Sequence, residues 1–463
     1  MERPPVPEFK HEAWSSRRTF LLAAIGSAIG LGNIWRFPYI TGVNGGGAFV
    51  IIYCLCIVIV AIPLLMAELA IGRRGGQSAI RSMQRLTAEN GRSKFWHCIG
   101  WLSVITPTVG LMYYSVVAGW TLDYAIGAAM GTFSGLDAKQ SSDEFTAMSG
   151  NPVRMMLSQG FFVLLTVLIV VGGVRGGLER AVKYLMPVLA LILVVLVAYA
   201  AVTADLSRAL KFLFQPDFSK ITASTVLMAV GQAFFSVNVA VGALITYGAY
   251  MPRDVSIPKV SAVIAFADTS AALMMGLVIF PLVFSYGLQP GEGPGLVFVT
   301  LPIAFGQMPF GGVFGTLFFL LMAIAALTSS IGMLEPSISR LEELSNVRRM
   351  PATVVMGICI WLFGLLALFS FNILAGFTPL DHFPLFEGKG IFDLFDFVTA
   401  NVLIPSGGLL IALFAGWMMT RESIRVELGM ESAFALWLWR SLVRFVAPLA
   451  ILAIFAASLF PRW

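Results

Sequence analysis

The chain reads as an all-α polytopic membrane protein, and three observations predict that class. Of its 463 residues, 58% are hydrophobic and 12% charged, with a mean hydropathy of +0.86, a balance foreign to soluble domains. Windows of about 19 residues find eleven apolar runs able to cross a bilayer. Two of these runs, the first and the sixth, are interrupted halfway along by glycines or polar side chains. The net charge of +5 and pI near 9.1 do not mark a nucleic-acid binder, because the basic residues lie in short loops between apolar runs.

The spans are predicted near 18–39, 45–71, 97–126, 156–173, 180–202, 222–250, 258–286, 311–339, 352–374, 394–419 and 434–460. Arg3, Lys10, Arg17 and Arg18 precede the first, and Arg73, Arg74, Arg81, Arg85, Arg92 and Lys94 follow the second. About 22 of the 30 Lys and Arg fall on the side of the N-terminus, which places that side in the cytoplasm and Trp463 outside. Residues 1–19 are polar, and Trp35, Arg36 and Phe37 stand where a cleavage site would need small residues, so the first span is expected to stay. Cys54, Cys56, Cys98 and Cys359 lie in or beside apolar runs and read as buried side chains rather than a disulfide framework. A bacterial inner membrane is the expected home.

The first span, FLLAAIGSAIGLGNIWRFPY over 20–39, carries Gly26, Gly30 and Gly32, with Asn33, Arg36 and Pro38 just behind. Glycine costs about 1 kcal/mol per helix position relative to alanine. Backbone groups freed in hydrocarbon must be satisfied by a cavity, an ion or a ligand. Gly26 and Gly30 alone fit close helix packing. Asn33 and Arg36 tip the reading to an unwound, ligand-facing segment, because polar groups at this depth face a water-filled path. In the second span, Glu68 is a buried acid expected to accept backbone amides freed by that break.

The connection from Gly127 to Asn151 is polar and too short for a domain of its own. The sixth span contains GQAFFSVNVAVGALITYGAY, in which Gln232, Ser236 and Asn238 put three polar groups at midplane. The β-branched Val237, Val239 and Val241 weaken the helix there. If spans one to five and six to ten are inverted halves, the two interrupted spans correspond, which points to a transporter's substrate site. Asp268 in the seventh span is a carboxylate inside a membrane helix. A structural partner or a bound cation would explain it, and the apolar spans hold no Lys or Arg at its depth. The segment from Ser285 to Pro309 includes QPGEGPG and an apolar continuation that reads as a re-entrant, lid-like loop. Thr328, Ser329 and Ser330 form a hydroxyl cluster in the eighth span. Such hydroxyls usually bond their own helix, but beside an unwound segment they are hard ligands for an alkali cation.

SAIGLGNIWRFPY, NGGGAF at 44–49, IPLLMAELAIGR, GQAFFS and LTSSI together resemble the neurotransmitter:sodium symporter family, whose bacterial leucine transporter defines the fold. The match runs from about Ala13 to Phe460. The resemblance implies a 5+5 inverted-repeat fold with broken first and sixth helices. A cytoplasmic segment (1–17) would precede the repeats (18–202 and 222–419), and an additional span (434–460) would follow them. It implies cotransport of an amino acid or a relative with Na+, held at two sites. The first sodium site would fall on Ala28, Asn33, Ser236 and Asp268, and the second on Gly26, Ile29, Ala325, Thr328 and Ser329. The substrate pocket would fall on Ala28, Gly30, Gly32, Tyr114, Phe235, Ser236, Asn238, Val241, Ser329 and Met333. Arg36 and Asp396 resemble the outer gate pair, and Trp14, Ser261, Tyr250 and Glu343 the inner gate.

Gly30 stands where monoamine carriers of this family hold an aspartate, which argues for a substrate that brings its own acid group. Lys10 and His11 replace the arginine usual before Trp14. The chloride-ligand positions match Tyr53, Gln232, Ser236 and Ala272. Alanine cannot coordinate the anion and Asp268 supplies a negative charge, so chloride is not expected to be required. Asn238, where relatives have small residues, opens the way to a substrate with a polar tail, an ω-amino acid or an amino-sulfonate. The alternatives are a proton-coupled or exchange-type carrier on the same plan, a channel, or a non-transporting sensor. An enzyme is not expected, since His11, His97 and His382 join no Cys or carboxylate cluster and no phosphate loop occurs.

Overall fold

The computed structural model describes residues 13–288, 295–345 and 347–459. Lys10, His11, Trp463 and the start of the lid-like loop at 289–294 lie outside them. Among the described residues there is no strand, and eleven spans cross a single layer. Nine are continuous apolar helices: Gly47–Gly75, Lys94–Ala129, Pro152–Val171, Val174–Thr203, Ile257–Ser285, Gly311–Leu344, Arg349–Phe369, Ile391–Met418 and Ala433–Leu459. The other two, the first and the sixth, are each made of two shorter helices. The eighth span is central, 78% of its apolar stretch being buried, whereas the eleventh is peripheral at 22%.

Both broken spans begin with reciprocal hydroxyl caps, on opposite faces of the layer. Ser16 accepts from the Thr19 amide at 3.2 Å to start Arg17–Ala28, and Thr222 accepts from the Thr225 amide at 3.2 Å to start Ala223–Ser236. The first helix ends where Ile29 turns extended (φ −68°, ψ 102°) and resumes as Gly32–Val43 at 52° to the first piece. The sixth stops at Ser236 and resumes at Ala243–Ala249. Between them Asn238, Ala240 and Gly242 have φ of 57°, 67° and 99°. Positive φ at a non-glycine residue costs on the order of 1 kcal/mol or more and persists only where the surroundings impose it.

Two contacts impose it. Glu68, fully buried, accepts the Ala240 amide at 2.7 Å. Asn238 Nδ2 donates to both the carbonyl and the hydroxyl of Ser27, each at 3.1 Å. Glu68 therefore serves the break of the sixth span and not, as the sequence had led us to expect, that of the first. Gly242 is required outright, because a Cβ there would sit 2.3 Å from Ser103 Cα.

Beyond the spans, Ala138–Gly150 and Leu206–Phe214 are short helices on the face opposite the N-terminus. Leu296–Gln307 is a short apolar helix there, with Leu296, Val297 and Phe298 fully buried. Its Phe298 is fully buried, 5.5 Å from the Trp120 ring and 5.1 Å from the Tyr124 ring.

Candidate functional site

The two breaks face each other at midlayer and enclose a cavity of about 60 Å³, room for roughly four water-sized groups. Nine of the ten expected substrate positions line it: Ala28, Gly30, Gly32, Tyr114, Phe235, Asn238, Val241, Ser329 and Met333. The tenth, Ser236, turns away into a carboxylate cluster. Thr106, Gly110, Tyr113, Thr399 and Ile404 also line the cavity. The sequence had not singled them out, because they come from the third and tenth spans, where no break or charge marks them.

The glycines leave the main chain open to this space. A Cβ on Gly30 would lie 2.8 Å from Ser329 Oγ and 3.5 Å from the Tyr114 hydroxyl, and one on Gly32 would lie 2.8 Å from the Phe235 ring. The hydroxyls of Thr106 and Thr399 are buried without a hydrogen-bond partner among the described residues, and the buried Tyr114 hydroxyl lies beside Ser329 and the Leu31 main chain. Buried hydroxyls are rarely left unpaired, and these three surround the cavity. Met333, Val241 and Ile404 give it an apolar side. Asn238 lines it too, but its amide donors are committed to Ser27.

One side of the cavity is the carboxylate cluster. Asp268, fully buried, accepts from Asn33 Nδ2 at 2.8 Å and from Ser236 Oγ at 2.5 Å. Ser236 Oγ in turn accepts from Tyr53 at 2.9 Å and from Asn33 Nδ2 at 3.0 Å. Asn33 Oδ1 accepts the Gly30 amide at 3.1 Å, tying the cluster to the first break. No Lys, Arg or His pairs with Asp268 among the described residues. The cluster thus gathers one carboxylate and neutral oxygens, hard donors that fit a small monovalent cation.

A second cluster joins the first and eighth spans. Ser329 Oγ lies 3.3 Å from the Ile29 carbonyl and 3.4 Å from that of Ser27, and Thr328 Oγ1 lies 3.0 Å from the Ala325 carbonyl. Gly26 packs on this spot, where a Cβ would lie 3.3 Å from Thr328 Cβ. Its oxygens are neutral hydroxyls and carbonyls, again the donors an alkali cation takes. No group of three or more His, Cys, Asp or Glu suited to a transition metal occurs among the described residues.

The two ends of the pathway differ. On the face opposite the N-terminus, a vestibule of about 380 Å³ leads down to Phe235, Tyr113 and Tyr114, which separate it from the cavity. Arg36 and Asp396 both line it, but no ion pair joins them among the described residues. Arg36 instead lies over the Phe235 ring at 4.3 Å.

The N-terminal face is closed. Trp14 is 2% exposed and packs edge-on against Tyr247 at 5.2 Å. Its indole donates to the Tyr247 carbonyl at 3.3 Å and its amide to the Tyr250 carbonyl at 3.1 Å. The Tyr250 hydroxyl donates to Glu335 at 3.0 Å, and Arg349 pairs with the same carboxylate. Glu343 accepts from the Ser78 amide at 2.8 Å and faces Arg81 at 3.6 Å. Ser15 donates its amide to Glu179 at 2.5 Å and its hydroxyl at 2.6 Å. Ser261 is buried beneath, its hydroxyl without a hydrogen-bond partner among the described residues. The Glu335–Arg349 pair was not foreseen, although an acid preceding a proline inside an apolar span was a signal for it.

Comparison with known proteins bears on this geometry. The family model for the sodium:neurotransmitter symporter family matches residues 11–134 and 139–461. An uncharacterized sodium-dependent transporter of Bacillus subtilis (strain 168) is 38% identical over 97% of this chain and 98% of its own. One from Haemophilus influenzae (strain ATCC 51907 / DSM 11121 / KW20 / Rd) is 33% identical over 97% and 99%. The crystal structure of MhsT in complex with L-phenylalanine is 38% identical, with a TM-score of 0.87 over 97% of this chain and 100% of that one.

Proposed function

The chain belongs to the sodium:neurotransmitter symporter family, and on that premise we propose that it is a sodium-coupled symporter importing a small, carboxylate-bearing amino acid by alternating access. The observation that carries this reading is the cavity between the breaks. The buried Tyr114 hydroxyl faces it beside Ser329, and the first break presents main chain with no side chain at Gly30 or Gly32. That arrangement suits a substrate's acid group, which a helix terminus also favours. MhsT, the solved relative, holds L-phenylalanine, which is such a substrate.

Sodium ions would sit at the two oxygen clusters, one beside Asp268 and one between Ile29 and Ser329. Each sodium moving down 100 mV contributes about 2.3 kcal/mol to accumulation. Chloride is not required in this reading, since the Asp268 carboxylate already places a negative charge within hydrogen-bonding distance of Ser236. Two repeats, 18–202 and 222–419, each opening with a broken span capped from opposite faces, would rock about the breaks while 434–460 stays peripheral. The N-terminal face would be cytoplasmic and the C-terminus outside, in a bacterial inner membrane, consistent with the distribution of Lys and Arg.

The test is thermal stabilisation of the purified protein by amino acids in sodium or in choline at fixed pH. A ligand bound by the folded state raises stability as RT ln(1 + [L]/Kd), so stabilisation by a neutral amino acid in sodium alone is expected. Equal stabilisation in choline would favour proton coupling. In reconstituted vesicles Asp268→Asn is expected to abolish uptake or make it chloride-dependent, and full chloride-free uptake would refute the sodium and chloride assignments together.

A further inference from the structure

Outside this pathway, the N-terminal face carries a basic cleft that transport does not use. Between the end of the tenth span and the start of the eleventh, Arg421, Arg440 and Arg444 enclose, with Trp437 and Phe445, a space of about 360 Å³. Two of the arginines also cap a helix end. Arg440 donates from Nε to the Gly416 carbonyl and from Nη2 to that of Met419, both at 3.1 Å, and Arg444 donates from Nε to Gly416 at 2.6 Å. These carbonyls close the tenth span, where cations are favoured. A Cβ on Gly416 would lie 2.9 Å from Arg444 Cγ, so glycine allows this approach.

Capping uses three of the guanidinium N–H groups and leaves the rest. Among the described residues the Arg421 side chain has no hydrogen-bond or ion-pair partner, and none of the three arginines pairs with a carboxylate. The nearby acids are engaged elsewhere or exposed: Glu422 pairs with Arg425 at 3.0 Å, Glu427 with Arg73 at 2.9 Å, and Glu431 is exposed. Arg440 and Arg444 are four residues apart on one helix, a like-charge spacing that destabilises the helix unless an anion offsets it. The bias of basic residues toward one face of a membrane protein accounts for the sign of these charges. It does not account for their convergence on one cleft.

Converging guanidinium groups match an oxyanion with several acceptors, phosphate above all. The rim adds a second requirement. Trp437 and Phe445 are 60% and 52% exposed, and Trp417, 41% exposed, lies 4.7 Å beneath the Arg444 guanidinium. Exposed aromatic rings at the edge of a span sit at headgroup depth, so a ligand with its charge in the cleft would lay an apolar part along them.

We propose that this cleft binds the phosphate headgroup of an anionic membrane phospholipid. In an uncharged detergent, the full-length protein is offered phosphatidylglycerol, phosphatidylcholine or inorganic phosphate, and bound lipid is counted by native mass spectrometry. Preferential retention of phosphatidylglycerol is expected. Arg421→Gln removes a guanidinium that caps nothing and should weaken that retention about five-fold, the equivalent of about 1 kcal/mol per basic residue near the surface. Its melting temperature in the same detergent should be unchanged, and Arg421→Lys should keep most of the affinity. Equal retention of the two lipids, or undiminished phosphatidylglycerol binding in Arg421→Gln, overturns the site. Displacement of the lipid by millimolar inorganic phosphate overturns the lipid assignment. Should Arg421→Gln fail to fold, brominated phosphatidylglycerol is expected to quench the wild-type tryptophan fluorescence more than that of Trp437→Phe, and equal quenching overturns the proposal.

Discussion

The two ends of the pathway are built from different chemistry. At the N-terminal face the seal is redundant: a buried tryptophan, a tyrosine on a buried acid, and two carboxylates each held by an arginine. At the opposite face Phe235, Tyr113 and Tyr114 stand between the cavity and the vestibule, with Arg36 over the Phe235 ring and in no ion pair among the described residues. A buried charge pair is costly to break singly, whereas a cation over an aromatic ring contributes about 0.5–2 kcal/mol. One door is thus bolted and the other held by a light latch; in the proposed alternating access, opening the bolted side would be the step that bound ligands drive.

That contrast can be broken from the bolted side first. Arg349→Ala leaves Glu335 buried without its cation and should cost about 3–5 kcal/mol, read as a drop in melting temperature together with faster labelling of a cysteine placed at Ser261. An unchanged labelling rate would show that the pair does not hold this face closed. Tyr250→Phe removes one hydrogen bond to the same carboxylate and should cost about 1–3 kcal/mol, with labelling intermediate between wild type and Arg349→Ala. On the latched side, Arg36→Gln should shift stability by less than about 1 kcal/mol while strongly slowing uptake, because Asp396 then lacks the partner on which the outer gate would close. Equal losses of stability at the two ends would erase the asymmetry.

Much of this was legible in the sequence, for reasons that differ from place to place. Gly26, Gly30 and Gly32 announce the first break because glycine loosens a helix whatever its neighbours. The sixth break was legible only from Gln232, Ser236 and Asn238, and its backbone solution, positive φ at Asn238 and Ala240, carries no sequence signature. Glu68 reads clearly as a buried acceptor, but which break it serves depends on helix packing, and it serves Ala240. Ser236 faces Asp268 rather than the cavity because helix rotation, not spacing, decides which side of the break it occupies. Thr106, Thr399 and Tyr113 are ordinary residues in ordinary helices, and only the assembled bundle shows that they surround one space.

The bonds from Asn238 to Ser27 have a mechanical consequence. They run like a crossbar from the unwound stretch of the sixth span to Ser27 in the last turn of the first helix, so in the proposed rocking motion neither would swing without dragging its counterpart. A carrier with two independent joints has partial strokes in which an ion slips through without its passenger, dissipating the gradient. Joining the pair would leave one stroke, taken whole.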